Sequence, residues 1–200
     1  MSYFIKSKRV VLVMISFLCF KGNLRAEPLF WEIDPEHFSV AFETEHIGYQ
    51  SQLGLFLEAN GEFHFDPETY EFFSGQIEVE ASSVFTNNED RDEHLRGKDF
   101  LNSRRHPVIF FEAREFHPNQ QRTGGELKGE LTMLGITQPI NLLVTLNKSE
   151  RYPFGHRRET LGVSASAIIA RSKWGMDYGV ANGMVGESVK LRFEFEAVQR

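Results

Sequence analysis

The segment RDEHLRGKDF, residues 91–100, places seven ionisable side chains in ten positions. Two kinds of chemistry are open to it. His94 with Asp90 or Asp92 could act as a general base and the carboxylate that orients it. Alternatively, Arg91 and His94 could donate hydrogen bonds to a ligand head group, because arginine suits a phosphate or carboxylate and neutral histidine also suits a carbonyl. A purely structural interpretation, the polar face of a short helix that caps the fold, is compatible with the second.

The rest of the sequence adds no further catalytic group to this cluster. GVSAS at residues 162–166 lacks the second glycine of a nucleophile elbow, and the single cysteine, Cys19, lies in the N-terminal segment. The seven histidines, at positions 37, 46, 64, 94, 106, 117 and 156, include no HxH or HxxxH pair. We therefore predict no enzymatic activity, no catalytic residue and no metal site. An enzyme that uses His94 and an acidic partner stays as an alternative.

The N-terminus has the layout of a secretory signal peptide. Lys6, Lys8 and Arg9 precede an apolar run at residues 10–20, which is too short to span a bilayer. We predict cleavage after Ala26, a periplasmic or secreted protein, and one domain over residues 27–200. That domain keeps 17 of the 22 basic residues and all 28 acidic ones, a charge of about −11. Such a charge argues against nucleic acid as a partner.

Alternation of apolar and polar residues dominates the predicted domain. In ESVKLRFEFEA, residues 187–197, the apolar side chains occupy every second position, which is typical of a half-buried strand. Similar runs follow one another between turn signals, which favours an antiparallel barrel or sandwich. One stretch breaks the period: Thr86 and Glu89 form a capping box and Gly97 supplies a stop. The sequence thus predicts a short helix at 87–96.

Several segments together resemble the YceI-like family of exported lipocalin-like proteins, often described as polyisoprenoid-binding. They are RDEHL, DF and HPVIFF, with WEIDPEHFSVAF at residues 31–42, GELTMLGITQPI at 129–140 and RSKWGMD at 171–177. The match spans about residues 30–197. Phe38 and Trp174 depart from the family pattern, where a small hydroxyl residue and a phenylalanine are usual. The resemblance implies an all-β fold, an eight-stranded antiparallel lipocalin-like barrel with an apolar interior.

The resemblance also implies a function: to carry, store or sequester a long-chain amphiphile, such as a polyisoprenoid, a quinone or a fatty amide, in an apolar tunnel. We expect the bound lipid in place of any cofactor. The predicted head-group residues are His46, Arg91, His94 and Arg171. The predicted tail-pocket residues are Phe42, Phe56, Phe111, Leu131, Leu142 and Trp174. A transient inner-membrane partner and a homodimer stay open, as does a role as surface adaptor for a membrane electron-transfer protein.

The charge of the head group depends on a cluster of basic residues near the helix. Because the domain is acidic overall, only a local basic patch could hold a diphosphate. The candidates for that patch are Arg91, Arg96, Lys98, Arg104 and Arg105. If these residues point away from the site, an uncharged head such as a quinone or amide is favoured.

Overall fold

Ten strands pair antiparallel in one continuous sheet, and the structure, a computed structural model, describes residues 28–200. The strands are β1 (Phe30–His46), β2 (Gln50–Phe56), β3 (Ala59–Asp66), β4 (Glu71–Glu80), β5 (Val84–Phe85), β6 (Val108–Pro118), β7 (Gly124–Met133), β8 (Ile136–Arg151), β9 (Glu159–Ala170) and β10 (Val185–Gln199). One helix, α1 (Glu89–Arg96), and two short 3₁₀ turns (Ala81–Ser83 and Arg171–Trp174) join them. The predicted signal peptide and its cleavage site lie outside the described residues. The described helices include none that is both long and apolar enough to cross a membrane.

Pairing of β10 with β1 closes the sheet into a barrel. The ten strands make eight barrel staves, because β2 and β3 are two parts of one bent strand that runs along β1. Likewise β4 and β5, separated only by a 3₁₀ turn, both run along that bent strand. The predicted eight-stranded antiparallel barrel is confirmed.

Alternation along most strands directs apolar side chains into the barrel, although Leu53 and Leu55 of β2 point outward. On β10, Phe193 is 7 % exposed and Ala197 is fully buried, and both belong to the core. Trp31 and Trp174 are each 1 % exposed, and their indole N–H groups donate to main-chain carbonyls, as buried tryptophans require. The interior is therefore largely hydrocarbon, and both buried indole N–H groups are paired to the main chain.

The helix begins two residues later than the sequence predicts. Asn88, rather than Thr86, caps α1: its Oδ1 accepts a hydrogen bond from the Arg91 N–H at 2.9 Å. Thr86 is instead held by Asp92, whose Oδ1 accepts from the Thr86 N–H at 2.8 Å and from its hydroxyl at 2.5 Å. Gly97 ends the helix, as predicted.

The two ends of the barrel differ. At the helix end, where β1 finishes and β10 begins, α1 lies across the interior with Leu95 packed against the core. At the opposite end, the terminal end, β1 begins and β10 finishes. There β1 leaves the ladder between Ile33 and Phe38, and the intervening residues form a bulge over β10.

Candidate functional site

A cavity of about 430 Å³ occupies the helix end of the barrel interior. Its walls are mostly apolar and aromatic, with side chains from the barrel strands and from α1. Polar groups are few among the residues that line it. They are those of Thr44, His46, Gln52, Asp90, Arg91, His94, Arg171 and Tyr178. An apolar chamber with a small polar set is the usual composition of a site for a greasy ligand.

A second cavity, of about 80 Å³, lies deeper, towards the terminal end. Ile77, Phe111 and Phe193 line both cavities and so form the partition between them. Their side chains decide how far a long ligand reaches into the barrel.

The structure divides the predicted tail residues among three places. Phe42, Phe56, Phe111 and Leu131 line the larger cavity. Leu142 lines the smaller one, as does Phe111. Trp174 lines neither cavity; its indole N–H donates to the Leu131 carbonyl at 2.9 Å, behind the cavity wall.

The barrel wall opens beside β2. Residues 50–54 of β2 pair only with β1 in the described chain, because β5 pairs only with Leu55 and Phe56. Beyond that point the chain leaves the sheet for α1, so Gln52 on one side and Asp90 on the other both line the cavity. This gap between β2 and α1, which we call the portal, has no hydrogen-bonded ladder across it.

Arg91 combines a structural contact with unused donors. Its Nε donates to Thr86 Oγ1 and its Nη2 to the Thr86 carbonyl, both at 2.7 Å. These bonds fix the guanidinium at the cavity, and its remaining N–H groups have no partner among residues 28–200. Arg91 can therefore donate to a ligand from a preset position.

His94 lies at the same rim in an aromatic setting. Its ring meets those of Phe100 and Tyr178 edge-on, at centroid distances of 5.0 and 5.2 Å. Its Nε2 pairs with Asp99 Oδ2 at 3.1 Å. Asp92 is 6 % exposed and accepts from Thr86, so it does not orient His94. The acidic partner of His94 is Asp99, which the sequence analysis did not consider.

No catalytic constellation forms around His94 among the described residues. The side chains of His94 and Asp99 are 46 % and 52 % exposed, so water surrounds the pair. The one hydroxyl-bearing serine or threonine that lines the cavity, Thr44, donates to the carbonyls of Gly186 and Ser188. The described residues at the cavity therefore place no serine or threonine hydroxyl where His94 could activate it as a nucleophile.

Arg171 lies at the cavity, but its hydrogen bonds go to the main chain. It is 2 % exposed, and its Nε, Nη1 and Nη2 donate to four main-chain carbonyls at 2.6–3.0 Å. Those carbonyls belong to Met176, Tyr178, Val185 and Gly186. Burial lowers the pKa of this guanidinium from its ordinary value, although Asp177 and Glu187 oppose the shift. Arg171 lines the cavity, but its N–H groups donate to the loop after β9 and to the first residues of β10.

The predicted basic patch does not assemble at the cavity. Of its five members only Arg91 lines the cavity. Arg96 turns towards the Ser82 and Val84 carbonyls, and Lys98, Arg104 and Arg105 are exposed. His46, at the end of β1, does line the cavity with Arg91 and His94. The rim thus has one guanidinium with free donors beside one carboxylate, Asp90.

Sequence reasoning missed the loop that completes the rim. Met176, Tyr178 and Met184 line the cavity from the segment between β9 and β10. RSKWGMD marks the start of this segment, but no periodicity reaches into it. The carbonyls of Met176 and Tyr178, which accept from Arg171, help to hold the segment over the barrel, as does the Met184 carbonyl, which accepts from the Ile47 N–H at 3.2 Å.

Known proteins similar to this chain match it over almost its whole length. The family model described as YceI-like domain matches residues 31–197. A UPF0312 protein of Pseudomonas fluorescens is 29% identical over 201 residues, covering 98% of each chain. A UPF0312 protein of Pseudomonas aeruginosa is 28% identical over 198 residues, which is 98% of this chain and all of that one.

Solved structures show the same barrel. Burkholderia cenocepacia BcnA aligns with a TM-score of 0.74 at 18% identity, over 83% of this chain and 99% of that one. A Campylobacter jejuni YCEI protein gives 0.70 at 24% identity, over 78% and 90%. A polyisoprenoid binding domain from Saccharophagus degradans gives 0.61 at 11% identity, over 86% and 99%. These likenesses concern the fold.

Proposed function

Because the chain belongs to the YceI-like family, we propose that it binds a long-chain amphiphile of the isoprenoid kind inside the barrel. The tail lies in the larger cavity, and the head lies at the rim beside α1. No bond is made or broken, and the protein carries, stores or sequesters the lipid. The Saccharophagus domain of the same fold, described as polyisoprenoid-binding, supports this class of ligand.

The observation that carries the proposal is the enclosed apolar volume. A cavity of about 430 Å³ falls within the range of roughly 300–1,000 Å³ that small-molecule sites occupy. Apolar cavities of this kind repel water, so a hydrocarbon chain gains free energy on entering. Phe42 and Phe56, whose rings lie 5.6 Å apart, offer a flat wall to such a chain.

The cavity volume limits the length of tail that it holds. A cavity of about 430 Å³ is of the size that holds one small ligand, so it encloses only part of a long isoprenoid tail. A longer tail passes the partition of Ile77, Phe111 and Phe193 into the smaller cavity, or leaves through the portal. A flexible isoprenoid suits either path.

The rim favours an uncharged head group. Arg91 is the one guanidinium there with free donors in the described chain, and Asp90 beside it offsets its charge. The predicted exported domain has a charge of about −11, which further disfavours a diphosphate. A quinone or an amide needs only hydrogen-bond donors, and Arg91 and His94 offer them.

The outer surface beside the portal is apolar and suits the passage of such a ligand into the cavity. Leu53 and Leu55 on β2 and Leu57 just after it are 63 %, 38 % and 55 % exposed, and Phe85 on β5 is 40 % exposed. This apolar strip leads from the surface to the portal, so an amphiphile can cross without leaving hydrocarbon contact. Export, with cleavage after Ala26, places the protein in the periplasm in this proposal, where lipids need carriers between membranes.

Lipid loading tests the proposal. Purified, delipidated protein is mixed with a polyprenyl quinone or a polyprenyl diphosphate in detergent, re-isolated by gel filtration and extracted. We expect about one quinone per chain and much less diphosphate. Co-elution of neither lipid would contradict amphiphile binding, whereas tighter retention of the diphosphate would contradict the neutral head group alone.

A further inference from the structure

A second polar cluster lies at the terminal end of the barrel, away from the lipid cavity. It consists of Asp34 and His37 on the β1 bulge and Glu196 on β10. Four residues of β1 loop out opposite Glu196, and this brings the two bulge side chains back over the neighbouring strand. One donor atom from each residue lies within 4.8 Å of the others.

The three donor atoms are spaced as ligands of one ion are. His37 Nδ1 lies 2.8 Å from Asp34 Oδ2 and 3.8 Å from Glu196 Oε2. Tetrahedral bonds of about 2.0–2.1 Å place neighbouring ligand atoms about 3.3 Å apart, between those two values. The donor atoms of Asp34 and Glu196 lie within 4.8 Å of each other, so the two carboxylates move closer together when they share an ion.

Glu196 supplies an independent observation. Its Oε2 is the one buried side-chain oxygen or nitrogen in residues 28–200 that has no hydrogen-bond partner. The 3.8 Å to His37 is too long for a hydrogen bond. This oxygen is enclosed although the Glu196 side chain as a whole is 34 % exposed, and a bound cation gives it the partner that it lacks.

The neighbouring groups orient the cluster. Asp34 Oδ1 accepts from the Glu36 N–H at 3.0 Å, which turns Oδ2 towards His37. In metal sites, a side chain that coordinates through one atom typically has its other polar atom held by a hydrogen bond. The side chain of His37 is 47 % exposed, so solvent can reach a fourth coordination position.

We propose that Asp34, His37 and Glu196 bind a divalent transition-metal ion of the zinc class. One imidazole nitrogen and two carboxylate oxygens form the ligand set that such ions prefer, whereas Ca²⁺ and Mg²⁺ favour all-oxygen sites. The ion ties the bulge of β1 to β10, the two strands whose pairing closes the barrel. The site is separate from the lipid cavity and does not depend on the proposed lipid function.

Zn²⁺ titration of the untagged, chelator-treated protein tests the proposal, with Co²⁺ absorption reporting coordination. We expect one ion per chain and at least about tenfold weaker binding in His37→Ala and in the isosteric Glu196→Gln. His117→Ala is the matched control: His117 is also 47 % exposed and lies 3.0 Å from Glu115. Its binding should stay within about twofold of wild type.

Two results would overturn the metal site: no Zn²⁺ binding by the wild-type protein, or binding that survives unchanged in Glu196→Gln. Circular dichroism confirms that each variant is folded. Because Glu196→Gln keeps the size of the side chain, it remains informative even if His37→Ala unfolds the bulge.

Discussion

The guanidinium of Arg91 donates two hydrogen bonds of 2.7 Å to Thr86, one to its hydroxyl and one to its carbonyl. Thr86 is in turn held by Asp92, so the guanidinium is fixed before any ligand arrives. This preset position lets one arginine act as both a brace for α1 and a donor at the cavity rim.

Replacing Arg91 should weaken quinone binding. In Arg91→Gln the free guanidinium donors are lost, and a hydrogen bond to a charged donor contributes roughly 1.5–3 kcal/mol. We expect quinone affinity to fall about tenfold or more, measured by loading from detergent. Arg105→Gln, an exposed member of the predicted basic patch that does not line the cavity, serves as control. Equal loss in both variants would mean that surface charge, not the rim, holds the lipid.

A methyl group at Gly54 should reduce the cavity. Phe42 lies across the ladder from Gly54, and a Cβ there would come within 2.1 Å of the tip of its ring. The ring must swing into the cavity, so Gly54→Ala should lower lipid loading severalfold with little loss of stability. Gly162→Ala is the control, because its Cβ meets no atom nearer than 3.5 Å. Unchanged loading in Gly54→Ala would place the tail elsewhere.

Arg171 should matter for stability more than any surface arginine. Arg171→Lys cannot reach four carbonyls at once, and each buried carbonyl left unpaired costs about 1–3 kcal/mol. We expect the free energy of unfolding in urea to fall by about 3 kcal/mol or more. Arg192→Lys, on an exposed arginine paired with Glu194, should change it by less than about 1 kcal/mol. Similar effects of the two changes would contradict the bracing role.

The His37–Asp34 pair should stabilise the metal-free protein only over a limited pH range. The hydrogen bond with Asp34, assisted by the charges of Glu196 and Glu36, raises the pKa of His37. Burial raises the pKa of Asp34, but the hydrogen bonds of His37 and the Glu36 N–H outweigh it and lower that pKa. The contribution of His37 is complete below its unfolded pKa of about 6.5 and is lost as pH rises through the folded value. The contribution of Asp34 is lost as pH falls through its own depressed value.

Urea unfolding of wild type and His37→Gln, with chelator present, measures this dependence. We expect the wild type to exceed the variant most between about pH 5 and about pH 6.5, with a smaller difference at about pH 9. NMR titration of the His37 ring should give a pKa above about 6.5, the value of histidine in a model peptide. If the free energy of unfolding of wild type exceeded that of His37→Gln by more as pH rises, the predicted direction would be contradicted.

The strands and the closed barrel could be predicted, but on different grounds. Alternation along a segment such as residues 187–197 is local, and that segment lies within β10. Closure of β10 onto β1 is a contact between the two ends of the chain, and only the family resemblance implied it. The helix start was wrong by two residues because Asp92 takes the Thr86 hydroxyl and N–H, which the sequence assigned to a cap.

The site was predicted in part. Alternation along β1 placed Phe42 on an inward face, and it lines the cavity. Phe56 was implied by the family resemblance alone, and it also lines the cavity. The partners of Arg171 are main-chain carbonyls, which no residue type signals, so its bracing contact could not be predicted from side chains. The Asp34–His37–Glu196 cluster was not predicted either. Two of its side chains lie on a bulge and the third is about 160 positions away, so no short sequence spacing indicates the site.

Mass spectrometry of an organic extract tests the central claim most directly. The protein is purified without detergent from the compartment in which its own cells keep it, and the extract is quantified against protein. The account predicts about one long-chain lipid with an uncharged head per wild-type chain, and much less from Gly54→Ala. An empty extract from wild type, still empty after challenge with isoprenoid and quinone lipids, would contradict the carrier function and leave the outer surface as the working part of the molecule.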